Sequence, residues 1–154
     1  MIAECNLVVS WRARPRGFVA LMGLYESNYL RLAALAGDLR SLARSRVSRV
    51  EGDCTLVLNV IERARYTSEL LLSYLLPAAG AAAGAAAVME RVPDLRLRLY
   101  HDARLLEAGV TDAKGPEREL DRRWARNMMV NKWLEYCAER GHSFARGSTD
   151  PQSG

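Results

Sequence analysis

Residues 94–102, DLRLRLYHD, alternate strictly between leucine and a polar or aromatic residue from Leu95 to Tyr100, then break at a histidine beside an aspartate. An apolar side chain at every second position is what a strand needs when one face is dry and the other wet. Leu95, Leu97 and Leu99 are therefore expected to face a core, with Arg96, Arg98 and Tyr100 facing away. His101 continues the inward phase and Asp102 the outward one. Neighbouring strand residues point to opposite faces, so a His-Asp dipeptide makes no hydrogen-bonded dyad by itself. The expectation is a turn: Asp102 bonds its own backbone two residues on, and the His101 ring packs at the end of the inward row.

The same period recurs on both sides. CTLVLNVIE (54–62) is rich in β-branched and apolar residues, and YTSELLLSYL (66–75) follows it, which predicts a β-hairpin turning near Arg63-Ala64-Arg65. In the second of these strands Tyr66, Ser68, Leu70, Leu72 and Tyr74 share a face. ARLLEAGV (103–110) reads as a shorter strand paired with 94–102. Between the two hairpins PAAGAAAGAAA (77–87) lacks large side chains and reads as a linker. RSLARSRVSRVEGD (40–53) reads as a basic, serine-rich connection. Two hairpins give a four-stranded antiparallel sheet.

Helical periodicity brackets the strands. In GFVALMGLYESNYLRLAALAGDL (17–39), Phe18, Leu21, Met22, Tyr25, Asn28, Tyr29, Leu32 and Leu35 fall on one stripe, and Gly37-Asp38 marks the end. Asn28 lies at the edge of that stripe and needs a hydrogen-bond partner if buried, so it either ties the helix to a neighbour, the favoured reading, or faces a pocket. GPERELDRRWARNMMVNKWLEYCAERGH (115–142) opens on Pro116 with acids behind it and closes at Gly141. Leu120, Trp124, Val130, Leu134, Cys137 and Ala138 form one arc, with Asn127 and Asn131 inside it. Met128, Met129, Trp133 and Tyr136 lie outside it. Trp124 is read as core, and Met129, Trp133 and Tyr136 as a candidate contact face for a second copy or a protein partner. The fold class is thus α+β: a four-stranded antiparallel sheet with the N-terminal and C-terminal helices packed on one face.

Composition sets the frame. The 154 residues are 49% apolar and 26% charged, ordinary usage for one folded domain. The domain is placed at 17–144, with a basic tail at 1–16 and a disordered tail at 145–154. Residues 1–49 carry eight arginines against three acids, so the basic excess is N-terminal. Arg12, Arg14 and Arg16 could touch nucleic acid, a weaker reading than a solvated tail. The three cysteines, Cys5, Cys54 and Cys137, are widely spaced and fit neither a disulfide framework nor a zinc site, which implies a reducing compartment. No signal peptide or membrane span is read, so the protein is expected in the cytoplasm.

Motifs that carry chemistry are sparse. There is no glycine-rich phosphate loop, no G-x-S-x-G and no H-E-x-x-H, and the Ala-Gly run lacks the Lys-Ser/Thr of a P-loop. Cys137 sits in an apolar arc, where thiols are inert, and His142 lies off its helical face. No catalytic residue, metal site or cofactor is assigned. If the sheet is an up-and-down meander, Arg65, Tyr66 and Thr67 become neighbours of Arg98, Tyr100, His101 and Asp102. That set has the cations and hydroxyls to hold a small anionic ligand, or to serve an enzyme acting on one.

Four segments together, LYESNYLRL (24–32), RYTSELLLSYL (65–75), DLRLRLYHDARLLEAG (94–109) and RRWARNMMVNKWLEYCAERGHSF (122–144), resemble the YqiB-like family of proteobacterial proteins, domain of unknown function 1249. The resemblance spans roughly residues 20–144. Met128 stands where the family usually has a basic residue, and the stretch between Val110 and Glu117 is shorter than usual. It implies a single cytoplasmic domain and no particular activity. The expectation is a non-enzymatic binding or protein-interaction module, with a site for a small anionic ligand as the alternative.

Overall fold

The leucine alternation is realised as an antiparallel meander. The computed structural model describes residues 17–77, 89–109 and 119–144. Strands β1 (Ser45–Ser48), β2 (Thr55–Arg63), β3 (Thr67–Pro77), β4 (Met89–Tyr100) and β5 (Leu105–Ala108) lie in chain order across one sheet. Helices α1 (Phe18–Ala36) and α2 (Glu119–Glu139) pack together on one face, and a 3-10 turn (Leu39–Ser41) follows α1. The register seats Leu58, Leu72 and Leu95 in one row, and Val60, Leu70 and Leu97 in the next. These inward rows meet Leu32 and Leu35 of α1 and Val130, Leu134 and Cys137 of α2. Phe144 plugs the end of the core, held by its amide donating to the Leu35 carbonyl at 2.7 Å. Each such leucine contributes about 1.5–3 kcal/mol through the apolar surface removed from water.

The sheet has five strands, not four. The additional strand is SRVS, within the stretch read as a connection. It lies at the sheet's edge and points Arg46 and Ser48 to the helix side, so it shows no apolar alternation. Short, polar edge strands of this kind resist pairing with foreign chains. β4 also starts earlier than the alternation, at Met89, because its first residues form an arm with β3 where both faces meet water.

Other corrections concern element ends. Phe18 is 70% exposed and Leu120 42%, although both fall on the apolar arcs, because each sits in the first turn of its helix, beyond the sheet it would cover. Ala138 is exposed at the last turn, and Trp124 is half-buried rather than core. Trp133, one of the three contact-face candidates, is less open than Met129 and Tyr136. It is partly buried against the core, edge-on to the Tyr74 ring with centroids 5.2 Å apart. The 1–16 and 145–154 tails and almost all of the 77–87 linker lie outside the described residues.

Asn28 is fully buried, and its Nδ2 donates toward the Asn127 carbonyl and Oδ1, both at 3.4 Å, so it ties α1 to α2. Asn127 Oδ1 also accepts the Ala108 amide at 2.8 Å, and Asn131 Nδ2 donates to Ser27 Oγ at 2.9 Å. The amide side chains of α2 thus satisfy both the neighbouring helix and the open edge of β5. Just beyond that edge, a Cβ on Gly109 would stand 2.9 Å from the Arg96 carbonyl oxygen. Gly109→Ala should therefore lose about 1–3 kcal/mol, the usual range for forced overpacking. Urea denaturation checks it, and an unchanged midpoint would refute the close approach.

Candidate functional site

The meander brings the β2–β3 and β4–β5 turns together. The His101 amide donates to the Tyr66 carbonyl at 2.9 Å, and Thr67 stands opposite Tyr100. Residues separated by some thirty positions in sequence therefore share one end of the sheet. Their side chains, however, do not converge on one pocket.

On the outward face the polar row is already paired. Arg98 reaches Glu69 at 2.6 Å, and Arg96 stands 3.8 Å from the other oxygen of the same carboxylate. The Arg98 hydrogen bond holds the Glu69 carboxyl below its usual range against the opposing effect of burial. Hydrogen bonding to Glu69, and then to Tyr100, raises Arg98 further above its ordinary value. Tyr100 donates its hydroxyl to Glu107 at 2.6 Å, and burial followed by that bond raises its pKa. Glu62, Thr67, Ser68, Glu69, Arg98 and Tyr100 line a shallow depression of about 200 Å³. Two carboxylates, Glu62 and Glu69, face the space where an anion would sit, and the Arg98 charge is already answered.

His101 turns inward, as its phase requires, and is 5% exposed. Its Nε2 shares a 2.8 Å hydrogen bond with Ser68 Oγ. Burial lowers its pKa, with Arg40 and Arg63 acting in the same direction and Asp102 and Asp38 opposing, so the ring is neutral. Asp102 does not bond its own backbone. It projects outward and pairs with Arg40 at 3.0 Å, which fastens the β4–β5 turn to the 3-10 turn after α1. Arg65 lies over the exposed Tyr66 ring, 5.2 Å from its centroid. Of the seven candidate ligand residues, Thr67, Arg98 and Tyr100 thus face outward, Arg65, Tyr66 and Asp102 lie on the rim, and His101 is inside.

The neutral His101 has a consequence for stability. Below its ordinary pKa near 6.5 the unfolded chain takes up a proton that the folded ring resists, so stability should fall as pH drops through 6.5 and be flat above it. His101→Gln should lose this component. Melting curves at pH 7.5 and 5.5 test it, and an equal loss in parent and variant would refute the assignment.

A second polar cluster lies at the opposite end of the strands, and sequence reading missed it. His142 Nε2 donates to Asp53 Oδ2 at 2.9 Å, which leaves Nδ1 to accept from Ser48 Oγ at 3.0 Å. Ser48 Oγ in turn accepts the Ser143 amide at 3.0 Å. Tyr74 donates its hydroxyl to Asp53 Oδ2 at 3.3 Å and lies 3.4 Å from Cys137 Sγ. Burial pushes the Asp53 carboxyl up, but the Cys54 amide, His142 and Arg140 together hold it below the usual range. Burial also raises the Tyr74 hydroxyl, and pushes the Cys137 thiol up to about 11.

The Ser48-His142-Asp53 chain has the connectivity of a nucleophile, base and orienting acid. Ser48 is 3% exposed, His142 4% and Cys137 fully buried, so no substrate atom reaches the hydroxyl or the thiol. The cluster acts as a clasp that fixes β1, the β1–β2 turn and the segment after α2 to one another. Its signal in sequence was weak: one histidine directly after a helix-ending glycine, and an aspartate in a glycine turn ninety residues away.

On α2, Met129 and Tyr136 remain 48% and 46% exposed, with Trp133 between them as their support. A cavity of about 400 Å³ opens beside Met129, lined also by Leu95, Ala108 and Arg126. Among the described residues no helix is long and apolar enough to cross a membrane, and no group of three metal-ligating side chains converges.

The family model described as "Protein of unknown function (DUF1249)" matches residues 31–143. No curated protein and no solved structure shows significant similarity to the chain.

Proposed function

The chain belongs to the DUF1249 family, whose description assigns no activity, and from its own surface we propose a non-enzymatic binding module that meets a second copy of itself through α2. One observation carries this reading: Met129 and Tyr136, two turns apart on one stripe, stay about half exposed over a rigid base of Trp133 and Tyr74. Aromatic and methionine side chains are enriched at contact surfaces, and a tyrosine, with two side-chain torsions, loses little freedom on association. A two-fold axis near Trp133 would set Met129 of each copy against Tyr136 of the other, the self-complementary arrangement of closed dimers. The stripe is flanked by charges of both signs, with Glu135 3.6 Å from both Arg31 and Lys132.

The competing reading, an anionic ligand at the sheet edge, has less support because Arg98, Tyr100 and Asp102 already hold protein partners. Nucleic acid at Arg12, Arg14 and Arg16 falls outside the described residues. We place the protein in the cytoplasm on its cysteine usage, Cys54 and Cys137 being free thiols.

Light scattering across a concentration series tests the proposal. The parent should pass from monomer to dimer, and Met129→Glu or Tyr136→Glu should hold it monomeric with an unchanged melting temperature. Two outcomes defeat the reading: a parent that stays monomeric throughout, or a dimer that both variants leave intact.

A further inference from the structure

Independently of the α2 face, we propose that the arginine-lined end of the sheet binds single-stranded nucleic acid. Five arginines gather there from three connections. Arg40 follows α1, Arg44 precedes β1, Arg63 and Arg65 flank the β2–β3 turn, and Arg104 closes the β4–β5 turn. Hydrogen bonds fix them at one end: His101 N to the Tyr66 carbonyl, Arg40 to Asp102, Val60 N to the Arg44 carbonyl, and the Arg63 guanidinium to the Leu42 carbonyl.

The facing carboxylates are Asp38, Glu62, Glu69 and Asp102, of which Glu69 is held by Arg98 and Arg96. Asp38 is occupied with the Arg40 amide and Ser41, and Asp102 with Arg40. Glu62 lies beside Arg44 and Arg63 in an open depression of about 240 Å³. Arg44, Arg65 and Arg104 form no ion pair with a described residue; Arg65 lies over the Tyr66 ring and Arg104 over the Tyr29 ring, 5.9 Å from its centroid. Their cations lie on separate segments around an open rim, not in an enclosed pocket. That distribution suits an extended chain of phosphates better than one small anion.

The base-recognising element is Tyr66. Its ring is 52% exposed at the tip of the β2–β3 turn, with the Arg65 guanidinium 5.2 Å from its centroid. An exposed aromatic face beside cations is the platform on which unpaired bases stack, and it has no use for a duplex whose bases are already stacked. Among the described residues no helix projects from this end to enter a major groove; α1 arrives by its C-terminus.

Fluorescence anisotropy with the full chain and a labelled oligothymidylate of about twenty nucleotides tests the assignment. Binding is expected at low salt, with log affinity falling at a slope of about −2 against log salt for three phosphate contacts. Tyr66→Ala should weaken it by roughly 5- to 150-fold, the value of one stacked base. The triple variant Arg44→Glu, Arg65→Glu, Arg104→Glu should abolish it, with melting temperatures confirming that both variants fold. Absence of binding by the parent overturns the proposal. So does binding that survives the triple variant, which would assign it to Arg12, Arg14 and Arg16. If Tyr66→Ala has no effect and inorganic polyphosphate competes as well as the oligonucleotide, the surface reads charge alone and the nucleic-acid assignment fails.

Discussion

Asn127→Ala is expected to unfold at a much lower urea concentration than the parent, by about 2–5 kcal/mol. The loss comes less from missing attraction than from donors left behind. Asn127 Oδ1 accepts the Ala108 amide at 2.8 Å and lies 3.4 Å from Asn28 Nδ2, and its own Nδ2 donates to the Arg123 carbonyl at 2.7 Å. Asn127 and Asn28 are at most 1% exposed, so water does not replace the acceptor that alanine removes. The β5 edge should loosen with it, and the Ala108 amide should exchange with solvent far faster in the variant. A variant with parental stability and a protected Ala108 amide would refute the role given to Asn127.

Asp53→Ala is expected to cost about 2–5 kcal/mol, because at least two buried donors lose their acceptor at about 1–3 kcal/mol each. Four donors face this carboxylate: the Cys54 amide at 2.8 Å, His142 Nε2 at 2.9 Å, the Tyr74 hydroxyl at 3.3 Å and Arg140 Nε at 3.5 Å. Without it, the buried His142 and Tyr74 lose their acceptor and β1 is no longer clasped to the segment after α2. The pH dependence carries a second signature. Because the folded Asp53 carboxyl is held low, its contribution is present above the usual carboxylate range and is lost only in strong acid, as it protonates. The parent should therefore lose more stability than Asp53→Ala between pH 4 and pH 2, as read by denaturant titration. Equal losses would contradict the account.

What the sequence made legible follows from what periodicity encodes. Leu95 to Leu99 and Ser68 to Tyr74 faced inward as their alternation required, since a one-residue slip would turn the whole row to water. Asn28 was legible for a related reason: an amide on an apolar stripe has to find a partner. SRVS was not legible, because an edge strand with polar residues on its inner side has no contrast between faces. Phe18 and Leu120 were misplaced because a helical wheel records angle and ignores how far the underlying sheet extends. The same limit separated Trp124 from Trp133, which lie on different arcs of α2. The burial of Trp133 follows from Tyr74 reaching up to it from β3. The Ser48-His142-Asp53-Tyr74 clasp draws on four distant segments, none of which carries a local motif.

At the sheet edge the composition of the site was readable, but its charge balance was not. Arg98, Tyr100 and Asp102 suggest an anion cradle as long as Glu69, Glu107 and Arg40 are not known to face them. Once register places Glu69 opposite Arg98 and Glu107 beside Tyr100, the donors are spent within the protein. Among the described residues, Met129 and Tyr136 of the α2 stripe stay about half exposed, and Arg44, Arg65 and Arg104 of the rim form no ion pair.

The most direct test of the α2 contact is a methyl NMR dilution series with methionine labelled at its ε-carbon. The Met129 resonance should shift with protein concentration while that of Met22, on α1, stays fixed, and Tyr136→Glu should freeze Met129 at its dilute position. A Met129 signal that is independent of concentration in the parent would contradict the self-contact through α2.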